Sequence, residues 1–153
     1  MEEGVHTIRV AAQDLAGNID PSPEVLRVLV DMTPPESTPS GPPPLLVNSS
    51  TVALPVTASD DSSGSGVDYI TVTATSVTGH RVNDTVDGAT GSATLTGLTS
   101  GWYNVSTMAV DAAGNHEATP PWWWLRVDLD APAAVFHGAV ATCLLYTSDA
   151  ADE

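Results

Sequence analysis

The sequence predicts an all-β protein made of antiparallel β-sandwich domains in a tandem array. One observation is local: short runs rich in Val, Thr and Tyr alternate apolar with polar residues, and clusters of Gly, Pro, Asp and Asn separate them. A second is an internal repeat. Asp14-Leu15-Ala16-Gly17-Asn18 returns 97 residues later as Asp111-Ala112-Ala113-Gly114-Asn115. Laying 4–35 over 101–132 without a gap also pairs Gly4 with Gly101, Ala12 with Ala109, Pro23 with Pro120, Val30-Asp31 with Val127-Asp128, and Pro35 with Pro132. A third is the length of that repeat, which suits one sandwich domain and far exceeds a solenoid unit.

The elements follow in order. Residues 1–33 read as the C-terminal part of a first domain. His6, Ile8, Val10 and Ala12 alternate along one strand, Asp14–Asn18 turns, and Leu26, Val28 and Val30 form the closing strand. Two strands alone are marginal in water, so this piece should be poorly ordered or dock on its neighbour. Residues 34–44 carry closely spaced prolines and read as a semi-rigid linker of extended polyproline type.

Residues 45–131 hold the one complete domain. Val52, Leu54, Val56 and Ala58 share the inward face of a strand, and Asp60–Gly66 is a loop. Ile70, Val72 and Ala74 face inward from the next strand, and Thr78-Gly79-His80 turns. Ala93 and Leu95 mark another strand. Tyr103, Val105, Thr107 and Ala109 alternate in a long one, and Trp123, Leu125, Val127 and Leu129 in the last. Residues 132–142 read as the start of a third domain. Cys143–Glu153 resembles a translated sequencing-library adapter and is set aside from functional reasoning.

The stretch Leu98–Asn115, with Val127-Asp128 and Pro132 downstream and Ser65-Gly66-Val67 upstream, resembles the Ig-like and fibronectin type III-like repeats of prokaryotic surface and secreted proteins. The resemblance covers about residues 4–35 and 45–132 and leaves the choice between Ig-like and fibronectin type III-like topology open. It implies stalk, adhesive or accessory roles outside the cell and no catalysis. It also makes Tyr103 a corner tyrosine, with its ring in the core and its hydroxyl on backbone. His6 takes the matching place in the first copy.

Composition narrows the partners. The 153 residues include 19 acids, four arginines and no lysine, for a net charge of −15. Nucleic acid and anionic membrane surfaces both select basic proteins, so neither is an expected partner. No apolar run reaches the ~20 residues of a membrane-spanning helix. The lone cysteine, Cys143, falls in the adapter-like tail, which leaves the rest of the chain without disulfides. No phosphate loop, nucleophile elbow or zinc-helix motif occurs, and His6, His80, His116 and His137 lack ligand spacing.

Three sets of residues stand out. Asp60, Asp61, Asp111, Asn115, Asp128 and Asp130 offer the hard oxygens that calcium takes, and calcium is the only cofactor to expect. The competing reading is that Asp111 and Asn115 form a hairpin turn, with Gly114 supplying positive φ. Trp122 and Trp124 fall on the outward face of their strand, and Trp102 on the outward face of its own. Such rings pack on a neighbouring domain or contact a polysaccharide or surface protein. Asn48, Asn83 and Asn104 begin N-x-S/T sequons and are glycosylation acceptors if the source glycosylates. The expected role is a spacer in an extracellular multi-domain protein, with a carbohydrate-contacting accessory module or a calcium-stiffened adhesin repeat as alternatives.

Overall fold

The computed structural model describes residues 1–135. Among them every regular element is a strand: β1 Gly4–Val10, β2 Glu24–Val30, β3 Glu36–Pro39, β4 Leu46–Val47, β5 Thr51–Ser59, β6 Val67–Ser76, β7 Arg81–Asp87, β8 Thr90–Thr96, β9 Gly101–Asp111 and β10 Trp122–Val127. β1 and β2 form an antiparallel hairpin, in register from Gly4 opposite Val30 to Val10 opposite Glu24. The other eight build a sandwich. One sheet has the order β4-β10-β9-β6-β7, and the other β3-β5-β8. β7 pairs with β6, whereas constant-type immunoglobulin domains place their fourth strand beside the first sheet. One pairing departs from the antiparallel rule: β4 runs parallel to β10.

Period-two alternation fills the space between the sheets. Val52, Leu54 and Val56 of β5 and Ala93 and Leu95 of β8 meet Ile70, Val72 and Ala74 of β6. Tyr103, Val105 and Ala109 of β9 and Leu125 and Val127 of β10 complete the core, with Trp123 packed at its margin. Leu129 does not continue that row: β10 ends at Val127, and Leu129 is 43% exposed. Among the described residues no second sheet covers the β1–β2 hairpin, and Val5, Val10 and Leu26 stay exposed there.

The expected linker is partly sandwich. Glu36–Pro39 forms β3 and pairs with β5 from Glu36 opposite Ser59 to Pro39 opposite Val56. Only the following Ser-Gly-Pro-rich residues cross from one sheet to the other. The prolines dominate the local composition, yet the pairing needs only Ser37 and its neighbours, and Pro39 closes the strand at the sheet edge, where proline is tolerated.

The sequence repeat is also a repeat of bonds. In the first copy Asp14 accepts from the Asn18 backbone N–H at 2.8 Å and from Asn18 Nδ2 at 2.7 Å. In the second, Asp111 accepts from the Asn115 backbone N–H at 2.7 Å and from Asn115 Nδ2 at 2.8 Å. Gly17 and Gly114 both stand at φ 92°, a left-handed conformation that a Cβ would penalise.

Candidate functional site: an acidic junction and an aromatic sheet face

The acidic residues expected to gather do so only in part. Carboxylate oxygens of Asp60 and Asp111 lie within 4.8 Å of each other and of a third group, Asp31, which the sequence reading did not include. Asp31 ends the β1–β2 hairpin segment, Asp60 follows β5, and Asp111 ends β9, so the cluster sits where hairpin and sandwich meet. Asn115 joins it, donating through Nδ2 to the Asp31 carbonyl at 3.1 Å and to Asp111 Oδ2. Asp31 Oδ2 accepts from the Ser65 N–H at 2.6 Å, and Oδ1 from the Thr33 N–H at 3.1 Å. Hydrogen bonds from Ser65, its side chain first and then its backbone, hold the Asp31 carboxyl below the usual carboxylate range. Asp60 also accepts from the Gly66 N–H at 2.8 Å.

Asp61 lies beside this cluster and serves its own loop. It accepts from the Ser63 N–H at 2.8 Å, the bond that most lowers its pKa. Asp128 and Asp130 are elsewhere. Asp128 follows β10, whose last residue pairs with Gly101 at the start of β9, whereas Asp111 is at the end of β9. Eleven extended residues separate those two ends, about 35 Å. The six residues named from sequence therefore split between opposite ends of the sandwich, because antiparallel pairing sends the end of β10 to the start of β9. Asp31 was legible in principle: it is the repeat counterpart of Asp128.

The three outward tryptophans do come together. Trp122, Trp124 and Trp102 are 61%, 46% and 48% exposed. β10 lies against β9 with Trp124 opposite Asn104 and Arg126 opposite Trp102. Trp124 meets Trp102 edge-to-face, centroids 6.4 Å apart at 89°, and meets Trp122 at 6.4 Å and 86°. The Arg126 guanidinium caps the Trp102 ring at 5.9 Å and reaches Asp128 at 3.7 Å. A shallow apolar cleft lies between Val77, Trp102 and Trp124. Trp123 points the other way, and its buried Nε1 has no hydrogen-bond partner among the described residues.

The sequon asparagines are spread out. Asn48 is exposed after β4, Asn83 is exposed on β7, and Asn104 is half-buried on β9. Tyr103 is fully buried, and its hydroxyl accepts from the Thr99 N–H at 3.0 Å and lies 3.1 Å from Thr99 Oγ1, the geometry of a tyrosine corner. His6 makes no such corner and contacts the Glu2 carbonyl. His137 and the segments 136–142 and 143–153 lie outside the described residues.

No protein-family model matches the chain, and no curated protein matches it in sequence. Among solved structures, the chain is similar to the fibronectin(III)-like modules of CbhA from Clostridium thermocellum. The identity is 18%, the match covers 90% of this chain and 70% of that one, and the TM-score is 0.47.

Proposed function

We propose that this chain is a non-catalytic Ig-like or fibronectin type III-like spacer of an extracellular multi-domain protein, with neighbouring sandwich domains of the same chain as its first partners. One observation carries the reading. The chain enters the sandwich at the end of β9 marked by Asp111 and leaves at the opposite end, past Val127. A domain with its entry and exit at opposite ends adds its full length to whatever it carries. The hairpin before it is tied to the entry end by Asp31 and by the Thr33 hydroxyl, which donates to Glu3 at 2.9 Å. Small-angle scattering of the chain tests this. The expected profile is elongated, with a maximum dimension well beyond the ~35 Å of one long strand. A compact particle, with the hairpin folded along the sandwich, would sink the spacer reading.

A second reading concerns calcium, and the convergence of Asp31, Asp60 and Asp111 from three chain segments favours it. Three like charges this close repel one another, and a divalent cation relieves that repulsion. By the repeat, Asp128 would present the same carboxylate to the next domain. Melting the chain with millimolar calcium and again with chelator tests it, since a ligand that binds only the folded state raises the midpoint. A rise abolished by Asp111→Asn supports a calcium-stiffened repeat. An unchanged midpoint leaves the aspartates as turn formers.

A further inference from the structure

The outer face of the five-stranded sheet differs in chemistry from the rest of the molecule. Burial on β9, β6 and β10 alternates, so every second residue points away from the core. The outward positions of β4, β10 and β9 and those of β6 from Tyr69 onward hold no carboxylate, and the outward row of β7, Arg81, Asn83 and Thr85, meets one only at its last residue, Asp87. In a chain with 19 acids and four basic residues that is a marked exclusion, and two of the four, Arg81 and Arg126, stand on this face. The acids on or near it stand at its ends: Asp87 closes β7 opposite Tyr69, Asp68 is exposed at the start of β6, and Asp128 follows β10.

What remains is of two kinds, side by side. At one side are three indoles, with Trp124 edge-to-face against both Trp102 and Trp122. Next to them a groove is lined by Thr71, Thr73, Thr75, Ser106 and Arg81, with Met108 and Pro120 as its apolar part. The register joins the two, because Asn104 lies opposite Trp124 on one side and opposite Thr75 on the other. Indole faces pack against the C–H face of a sugar ring, and hydroxyl, amide and guanidinium groups bond its rim. Edge-to-face packing fixes the three rings before any ligand arrives, which lowers the ordering cost of binding. The tie to the preceding hairpin is at the strand ends, through Asp31, Ser65 and Asn115, so an end-to-end neighbour leaves this face open.

We infer that this face is a binding surface for a polysaccharide chain laid across β10, β9 and β6, with Trp102, Trp122 and Trp124 stacking its rings and the Thr/Ser groove with Arg81 bonding its hydroxyls. The scarcity of carboxylates lowers the charge repulsion that a uronic polymer would meet elsewhere on this acidic chain, and a neutral polymer is indifferent to it.

The test is affinity electrophoresis of the full chain in gels containing hydroxyethyl cellulose, xylan or polygalacturonate. Retardation in at least one gel is expected. Trp102→Ala/Trp124→Ala should weaken it by at least about tenfold at an unchanged melting temperature. Retardation by polygalacturonate alone, lost in Arg81→Gln, identifies the uronic form of the ligand, and retardation by the neutral polymers identifies the other. No retardation in any gel overturns the proposal, and so does equal retardation of the double variant. A wild-type dimer that the double variant converts to monomer, without glycan binding, assigns the face to a second copy and overturns it as well.

Discussion

The Glu117 carboxylate clasps Ser37 across the sandwich. It accepts from the Ser37 backbone N–H at 2.9 Å and from its hydroxyl at 2.6 Å, and also from the Ala109 N–H at 3.0 Å. Ser37 Oγ in turn lies 2.7 Å from Thr107 Oγ1. One buried acid thus ties β3 of the small sheet to β9 of the large one. Removing it leaves buried donors without acceptors, and each such group costs about 1–3 kcal/mol. Glu117→Ala should lower the unfolding free energy by about 3–5 kcal/mol in urea titration, and Glu117→Gln by less. Equal stability of Glu117→Ala and wild type would show that the clasp contributes nothing.

The pKa of Asp31 gives the hairpin junction a pH dependence. Its folded-state value is depressed by the Ser65 hydrogen bonds. The stabilisation is therefore present above the unfolded carboxylate value of about 4 and disappears as pH falls through the lower folded value. Limited proteolysis between pH 7 and pH 3 should show cleavage after the hairpin rising at the acid end first. Asp31→Asn should show that sensitivity already at pH 7. If wild type and variant have the same profile, Asp31 does not hold the junction.

Tyr103 predicts a smaller, cleaner effect. Tyr103→Phe keeps the ring in the core and removes the acceptor of the Thr99 N–H. A loss of about 1–2 kcal/mol is expected by thermal or chemical unfolding. A neutral result would mean that water replaces the hydroxyl without cost.

The two copies of the Asp–Asn turn should respond differently to the same change. Asp111 is buried within the sandwich, whereas Asp14 lies exposed on the hairpin. Asp111→Ala should lower the main melting midpoint, and Asp14→Ala should leave it in place, although both remove the two bonds from the paired asparagine and Asp14→Ala removes a third, from the Ala16 N–H. Equal shifts would mean that hairpin and sandwich unfold as one unit.

Strands with strict alternation were legible in the sequence, because burial on one face leaves a period of two. β5, β6, β9 and β10 show it plainly, from Val52 and Leu54 to Leu125 and Val127. β7 was not legible. It is an edge strand whose inward row is Val82, Asp84 and Val86, and Asp84 turns its carboxylate to the Thr94 N–H at 2.6 Å. A polar residue in the apolar row erased the pattern. β3 was hidden by its prolines, and Glu117 by its type: a buried acid is recognisable only from the donors that folding brings to it. The outward parity of Trp102, Trp122 and Trp124 was readable, but their mutual contact depends on the β9–β10 register. Asp31 was missed because its partners are 29 or more residues downstream along the chain, past a segment whose composition signals only a linker.

The short parallel pair of β4 and β10 matters most when the protein is pulled. Leu46 lies opposite Arg126 and Val47 opposite Val127, with the Arg126 N–H on the Leu45 carbonyl at 2.9 Å and the Asp128 N–H on the Val47 carbonyl at 2.9 Å. Both strands point toward the exit end. Tension applied through the two termini therefore drags β4 and β10 past each other along their axes, and these bonds must fail together instead of opening one at a time. A single-molecule trace should show one abrupt rupture for the sandwich, with Val47→Pro, which removes a backbone N–H from the ladder with β10, lowering its force. The feature that looks minor at rest makes this domain a latch under load.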